Sequence, residues 1–118
     1  MSWSVACAAS DLVTDTPYSV EVGDTLVAIV EHDGQLFAIR DECSHARVML
    51  SLGDVDDCTI ECFAHGSRFD LRTGFPLDLP ATRPVPVYPV TLDGDDVLVD
   101  LDHPIDPQEL RTHVSRHF

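Results

Sequence analysis

Apolar and polar residues alternate with a period near two along most of the chain, which predicts many short strands. Val, Ile, Thr and aromatic residues concentrate at residues 3–7, 18–22, 25–31, 35–40, 59–62, 67–70, 85–92 and 97–101. Such residues suit a pleated, half-buried surface. Turn formers separate the runs. Val22-Gly23-Asp24 and His32-Asp33-Gly34 read as hairpin turns, the second through its Asp-Gly pair. The segment from Asp54 to Asp57 and the run Asp93-Gly94-Asp95-Asp96 punctuate later pairs. Strands at this spacing point to an all-β sandwich or barrel. Pro80, Pro84, Pro86 and Pro89 crowd one stretch, which predicts a stiff extended loop and not a central strand.

Helical signals occur only at the end of the chain. Asp106 can cap, Pro107 suits the first helical position, and Glu109 completes a capping pattern. Leu110, Val114 and Phe118 make an apolar stripe, and Arg111, His113, Arg116 and His117 lie where positive charge suits the dipole. A helix of under ~12 residues needs tertiary packing, so an ordered helix and a frayed tail both stay open. The expected division is one domain over residues 1–103, with a tail at 104–118.

Composition narrows the field. A length of 118 residues suits one domain, and 44% apolar residues is ordinary for a globular one. No run approaches the ~20 apolar residues of a membrane span. Residues 1–15 hold no Lys or Arg and so lack the charged start of an export signal; a cytoplasmic protein is expected. There are 21 acidic residues, seven Arg and no Lys, for a net charge of −14. That balance argues against nucleic acid and anionic membrane as partners. An acid-rich, Lys-poor proteome would produce the same balance, so charge does not establish function.

Four cysteines, Cys7, Cys43, Cys58 and Cys62, are present. In a reducing compartment, cysteines grouped with histidines point to metal rather than disulfides. Cys43-Ser44-His45 and Cys62-Phe63-Ala64-His65-Gly66 each offer one thiolate and one imidazole at close spacing. Two such loops at neighbouring hairpin tips would close a four-ligand site. A structural zinc site is the rival. Zinc modules usually take two Cys from one segment and two His from another. Mixed pairs suit a cluster with two thiolates on one iron and two imidazoles on the other.

These two segments resemble the Rieske 2Fe–2S motif. Leu50-Ser51-Leu52-Gly53, Arg68-Phe69-Asp70-Leu71-Arg72-Thr73-Gly74 and the proline-rich run from Leu79 to Pro89 extend the likeness to bacterial Rieske ferredoxins, in particular short actinobacterial ones of ring-hydroxylating oxygenase systems. It spans roughly Trp3 to Asp102. The resemblance implies a three-sheet β-sandwich with a small cluster-binding subdomain at about 42–84. It implies Cys43 and Cys62 on one iron, His45 and His65 on the other, and the proline loop as a shield. Rieske proteins of respiratory complexes carry a disulfide across the ligand loops; Val48 and Ala64 stand at those positions here. Such proteins also have a Ser and a Tyr that donate to cluster sulfurs. Ser67 matches the Ser, and Phe69 replaces the Tyr without a hydroxyl. A low-potential Rieske centre is the expectation, within a family window of ~−150 to +300 mV.

The implied function is electron transport without catalysis. A monomer would carry one electron from an NAD(P)H-dependent ferredoxin reductase to a terminal oxygenase. A nitrite-reductase small subunit, an accessory of iron–sulfur assembly and a structural zinc domain are the alternatives. Cys7 reads as a small buried hydrophobe, and Cys58 as a surface thiol or core residue. His32, His103, His113 and His117 read as surface or satisfied histidines. Arg40, Arg47, Arg68, Arg72 and Arg83 all fall in the cluster region. Local ion pairs with Asp41, Glu42, Asp70 and Asp78 are the first reading, and a less negative docking cap is the second.

Overall fold

The structure is a computed structural model, and it describes residues 3–44, 47–64 and 66–105. The tail helix expected from Asp106 onward lies outside the described residues.

Among the described residues, ten strands form three antiparallel sheets: β1 (Ser4–Ala8), β2 (Tyr18–Val22), β3 (Thr25–His32), β4 (Gln35–Arg40), β5 (Val55–Asp56), β6 (Thr59–Glu61), β7 (Arg68–Asp70), β8 (Val87–Tyr88), β9 (Val90–Asp93) and β10 (Asp96–Val99). Their orders are β1-β10-β9, β2-β3-β4-β8 and β5-β6-β7. Short 3₁₀ turns follow β1 and precede β5, at Ala9–Asp11 and Leu50–Leu52.

The four-stranded sheet is the middle layer, and β3 shows why. Val27, Ala28, Ile29 and Val30 are all fully buried. Side chains alternate across a strand, so a continuous apolar run buries both faces. Val27 and Ile29 pack with Val22, Ala38, Val97 and Val99 on one side. Ala28 and Val30 pack with Ile39, Leu50, Ile60, Phe69 and Leu71 on the other. The second core carries Cys43 and Cys62, so both thiols stand on a tightly packed floor.

Turn chemistry sets the registers. Asp33 and Gly34 both adopt positive φ, the geometry that Asp-Gly favours in a two-residue hairpin. The β5–β6 turn does the same with Asp57 and Cys58, at φ of 49° and 60°. Cys58 is thereby turned into the core, where burial raises its thiol pKa. Cys7 lies on β1 and packs half-buried against the other core.

The run expected as one strand over 85–92 is two. Pro89 lacks an amide hydrogen and divides it. Val87–Tyr88 closes the edge of the middle sheet beside β4, whereas Val90–Asp93 pairs with β10 in another sheet. The proline-rich stretch is thus not wholly loop, because β8 lies inside it. Ile105 donates its amide to Val87 at 2.7 Å, so the chain is still fixed to β8 beyond residue 103.

Gly74 joins the small sheet to the proline loop. It has φ of 78°, and its carbonyl accepts from the Val85 amide at 2.9 Å. A Cβ at Gly74 would come within 2.1 Å of the Val85 carbonyl oxygen, whereas one at Gly34 (φ 77°) meets nothing. Gly34→Ala should therefore cost about 1 kcal/mol, the left-handed penalty alone. Gly74→Ala should cost clearly more, about 2–3 kcal/mol, because the loop must also shift. Urea midpoints of the two variants, measured side by side, check the ordering.

Candidate metal centre

Two loops built alike carry the cysteines. Cys43 follows β4, and its amide donates to the Val48 carbonyl at 3.0 Å. Cys62 follows β6, and its amide donates to the Ser67 carbonyl at 2.8 Å. Each cysteine thus closes a loop on the residue five positions later. The second loop is drawn tighter by the Gly66 amide, which donates to the Cys62 carbonyl at 2.8 Å, with Gly66 at φ of 77°. Cys43 and Cys62 are buried, at 4% and 1% exposure, and neither forms a disulfide. His45 and His65 lie outside the described residues.

A third loop holds these two together. The Ser44 hydroxyl donates to the Arg83 carbonyl at 2.6 Å. The Ala81 amide donates to the Ser67 hydroxyl oxygen at 3.1 Å. Ala81 and Arg83 are two residues apart, a span of at most about 7 Å. Two anchors so close in the chain place the two cysteine loops side by side. The proline loop is therefore a clamp across the two cysteine loops, a role for Ser44 that its neighbours in the chain do not show.

The first loop is pinned from below by one carboxylate. Asp41 is 1% exposed. It accepts from the Ser19 hydroxyl at 2.7 Å, the Ser51 amide at 2.7 Å and the Ser51 hydroxyl at 2.6 Å. Asp41 precedes the loop and Ser51 follows it, so one side chain fastens both ends. The sequence reading paired Asp41 with an arginine, and the structure corrects this. A buried carboxylate is stable here because hydroxyl and amide donors replace water.

The other expected ion pairs form. Arg68 grips Asp78 through Nε at 2.6 Å and Nη2 at 3.1 Å, which holds the Asp78 carboxyl below its usual pKa. Arg72 pairs with Asp70 at 3.2 Å and Arg40 with Glu42 at 3.8 Å. Two histidines also have carboxylate partners that spacing did not reveal. His32 Nδ1 lies 2.6 Å from Asp15, a contact that raises the imidazole pKa, and His103 Nδ1 lies 2.9 Å from buried Asp100.

The donor chemistry is that of paired soft ligands. Two water-shielded thiols on adjacent loops suit a metal that takes thiolates, and each loop has a histidine in its sequence. The sequence profile of the Rieske [2Fe-2S] domain matches residues 2–89. The chain belongs to the Rieske [2Fe-2S] family. Its cofactor is a Rieske-type 2Fe–2S cluster. The chain is 38% identical over 102 residues to the ferredoxin component of biphenyl 2,3-dioxygenase of Rhodococcus jostii (strain RHA1), covering 86% of this chain and 95% of that one. The ferredoxin of carbazole 1,9a-dioxygenase from Nocardioides aromaticivorans IC177 superposes with a TM-score of 0.80 at 34% identity, over 84% of this chain and 97% of that chain. A complex of reduced oxygenase and oxidised ferredoxin in carbazole 1,9a-dioxygenase matches with a TM-score of 0.76 at 37% identity, over 82% and 91% of the two chains. As in these ferredoxins, the role of the Rieske chain is electron carriage and not catalysis. Among the described residues, no helix is long and apolar enough to cross a membrane.

One substitution separates the clamp role of Ser67 from the cluster hydrogen bond that the family resemblance implies. The Ser67 oxygen accepts from Ala81, which leaves the hydroxyl hydrogen to be given elsewhere. Ser67→Ala should strand the buried Ala81 amide and destabilise the fold by about 1–3 kcal/mol. If the hydroxyl also donates to the cluster, the same change lowers the midpoint potential by tens of millivolts, because hydrogen bonds to the sulfurs favour the reduced state. Ser67→Cys, with a weaker donor in the same place, should fall between. A potential that stays put while stability falls would confine Ser67 to the clamp.

Proposed function

We propose that Cys43, His45, Cys62 and His65 hold the cluster, two thiolates on one iron and two imidazoles on the other. Held so, it takes up and releases a single electron. The observation that carries this reading is the pair of matching loops, each closed by a cysteine amide and both clamped by residues 81–83. The cluster-binding unit on this reading is about residues 42–84, set on a β-sandwich that reaches residue 103.

The surrounding residues tune the electron's energy. With Val48 and Ala64 at the positions of the respiratory disulfide, no bridge crosses the loops. Phe69 is fully buried and brings no hydroxyl. Ser67 is then the one hydroxyl donor of the pair, and the potential belongs in the lower part of the Rieske window.

The route runs from an NAD(P)H-dependent reductase, through this monomeric cytoplasmic carrier, to the terminal oxygenase of a ring-hydroxylating dioxygenase. Its support is the kinship with oxygenase ferredoxins along nearly the whole length of those chains. The test is component exchange. The reductase and oxygenase components of Rhodococcus jostii biphenyl dioxygenase are combined with this chain in place of their own ferredoxin. NADH-driven biphenyl oxidation that depends on this chain is expected. No oxidation by protein whose cluster is intact and reducible would count against delivery to an oxygenase.

A further inference from the structure

Five arginines lie among the described residues, and three of them pair with carboxylates: Arg68 with Asp78, Arg72 with Asp70 and Arg40 with Glu42. Arg47 and Arg83 have no ion-pair partner among the described residues. Both are exposed, and both line one open depression of about 380 Å³. Cys43 and Ser44 of the first cysteine loop line it too, as do Arg40 and Glu42. Three guanidiniums against one carboxylate give this depression an excess of two positive charges, in a chain whose net charge is −14. The excess sits at the wall of the metal centre.

The backbone at Arg83 is held in place. Arg83 is followed by Pro84, and its own carbonyl is held by the Ser44 hydroxyl. A fixed backbone reduces the entropy lost when the side chain engages a ligand. Guanidinium forks match the planar oxygens of a carboxylate. A polyphosphate would meet the repulsion of the whole acidic chain. A protein surface presenting one or two Asp or Glu side chains would meet it only locally.

We propose that Arg47 and Arg83 form a seat for a carboxylate side chain of the redox partner, fixing the partner's position beside the first cysteine loop. The proposal rests on the electron-carrier reading above, and it adds the docking chemistry.

The test uses two cobalt oxidants of opposite charge on the reduced, cluster-loaded protein. Cobalt(III)–EDTA is an anion with carboxylate oxygens on its face, and tris(phenanthroline)cobalt(III) is a cation. Each accepts one electron, cobalt(III) becoming cobalt(II) as the protein is oxidised. Arg47→Gln/Arg83→Gln removes two positive charges. Ser4→Glu/Thr91→Glu adds two negative charges on the β1-β10-β9 sheet, away from the site. The arginine pair should slow oxidation by the EDTA complex about ten-fold at low salt, with the cationic oxidant unaffected or faster. The distal pair should move both rates far less. Stopped-flow transfer to the Rhodococcus jostii biphenyl oxygenase component should fall with the arginine pair at low salt and recover at high salt.

An unchanged ratio between the two oxidants would overturn the seat. So would an altered ratio with undiminished transfer to the oxygenase. Wild-type protein that reduces both cobalt complexes but not the oxygenase would count against the oxygenase route, while the oxidant ratio still decides the seat.

Discussion

Cys62→Ser is expected to give a folded protein with no cluster, losing visible absorption altogether. Cys62 is 1% exposed and stands on Ile60 and Phe69, and its amide closes the second loop. Serine keeps that amide, so the loop still closes. It removes the soft thiolate, and a neutral hydroxyl does not replace it on iron. Cys43→Ser should behave alike, because its loop is built alike. Cys58→Ser is the control. Cys58 is buried in the same core but sits at the β5–β6 turn, and it should keep its full iron content while losing some stability. Iron and labile sulfide analysis of the three variants decides the matter. Full cluster loading in Cys62→Ser would remove Cys62 from the ligand set.

The largest stability effect outside the cysteines is expected at Asp41. Asp41→Ala removes the acceptor of three short hydrogen bonds and leaves the half-buried Ser51 amide and two hydroxyls without it. Hydrogen bonds to a charged group contribute ~1.5–3 kcal/mol each, but they share one side chain and do not add in full. A loss of about 3–4 kcal/mol is therefore expected. Asp41→Asn keeps one acceptor oxygen and gives up the charge, so it should cost about half as much. The functional consequence follows from position. With both ends of the first loop released, the cluster should bleach several-fold faster under chelator at the same fraction folded. Equal bleaching rates in wild type and Asp41→Ala would separate this carboxylate from the site and leave it a purely structural group.

Local patterns were readable in the sequence, and tertiary ones were not. Strands β2 and β4 match their sequence-derived limits because Gly23 and the Asp33-Gly34 pair mark the turns plainly. The two Cys–His segments were legible because their spacing is itself the chemical signal. The turn at Asp57 was legible, but the positive φ of Cys58 was not, since a cysteine has no local propensity for that conformation and is held by the core it enters. The two-residue strand β5 is too short to show a period. Val87 to Val90 reads as one apolar run, and only the sheet assignments of β8 and β9 show that Pro89 divides it. Asp41 stood next to Arg40 and Glu42 and so read as a surface charge. Its burial depends on Ser19 and Ser51 arriving from elsewhere in the chain. The same holds for the clamp, because nothing local to Ser44 or Ser67 points to residues 81–83.

The electron-carrier role depends on mixed thiolate and imidazole ligation of a two-iron cluster. Electron–nuclear double resonance on the dithionite-reduced protein reads that ligation out, since histidine nitrogens bound to iron couple strongly to the unpaired electron. Couplings from two histidine nitrogens are expected, lost one at a time in variants of His45 and His65, with a midpoint potential inside ~−150 to +300 mV. A reduced cluster without nitrogen coupling and with a potential near ~−400 mV would mean all-cysteine ligation, and a colourless protein with one bound zinc would mean no cluster at all. Either result would rule out the mixed ligand set.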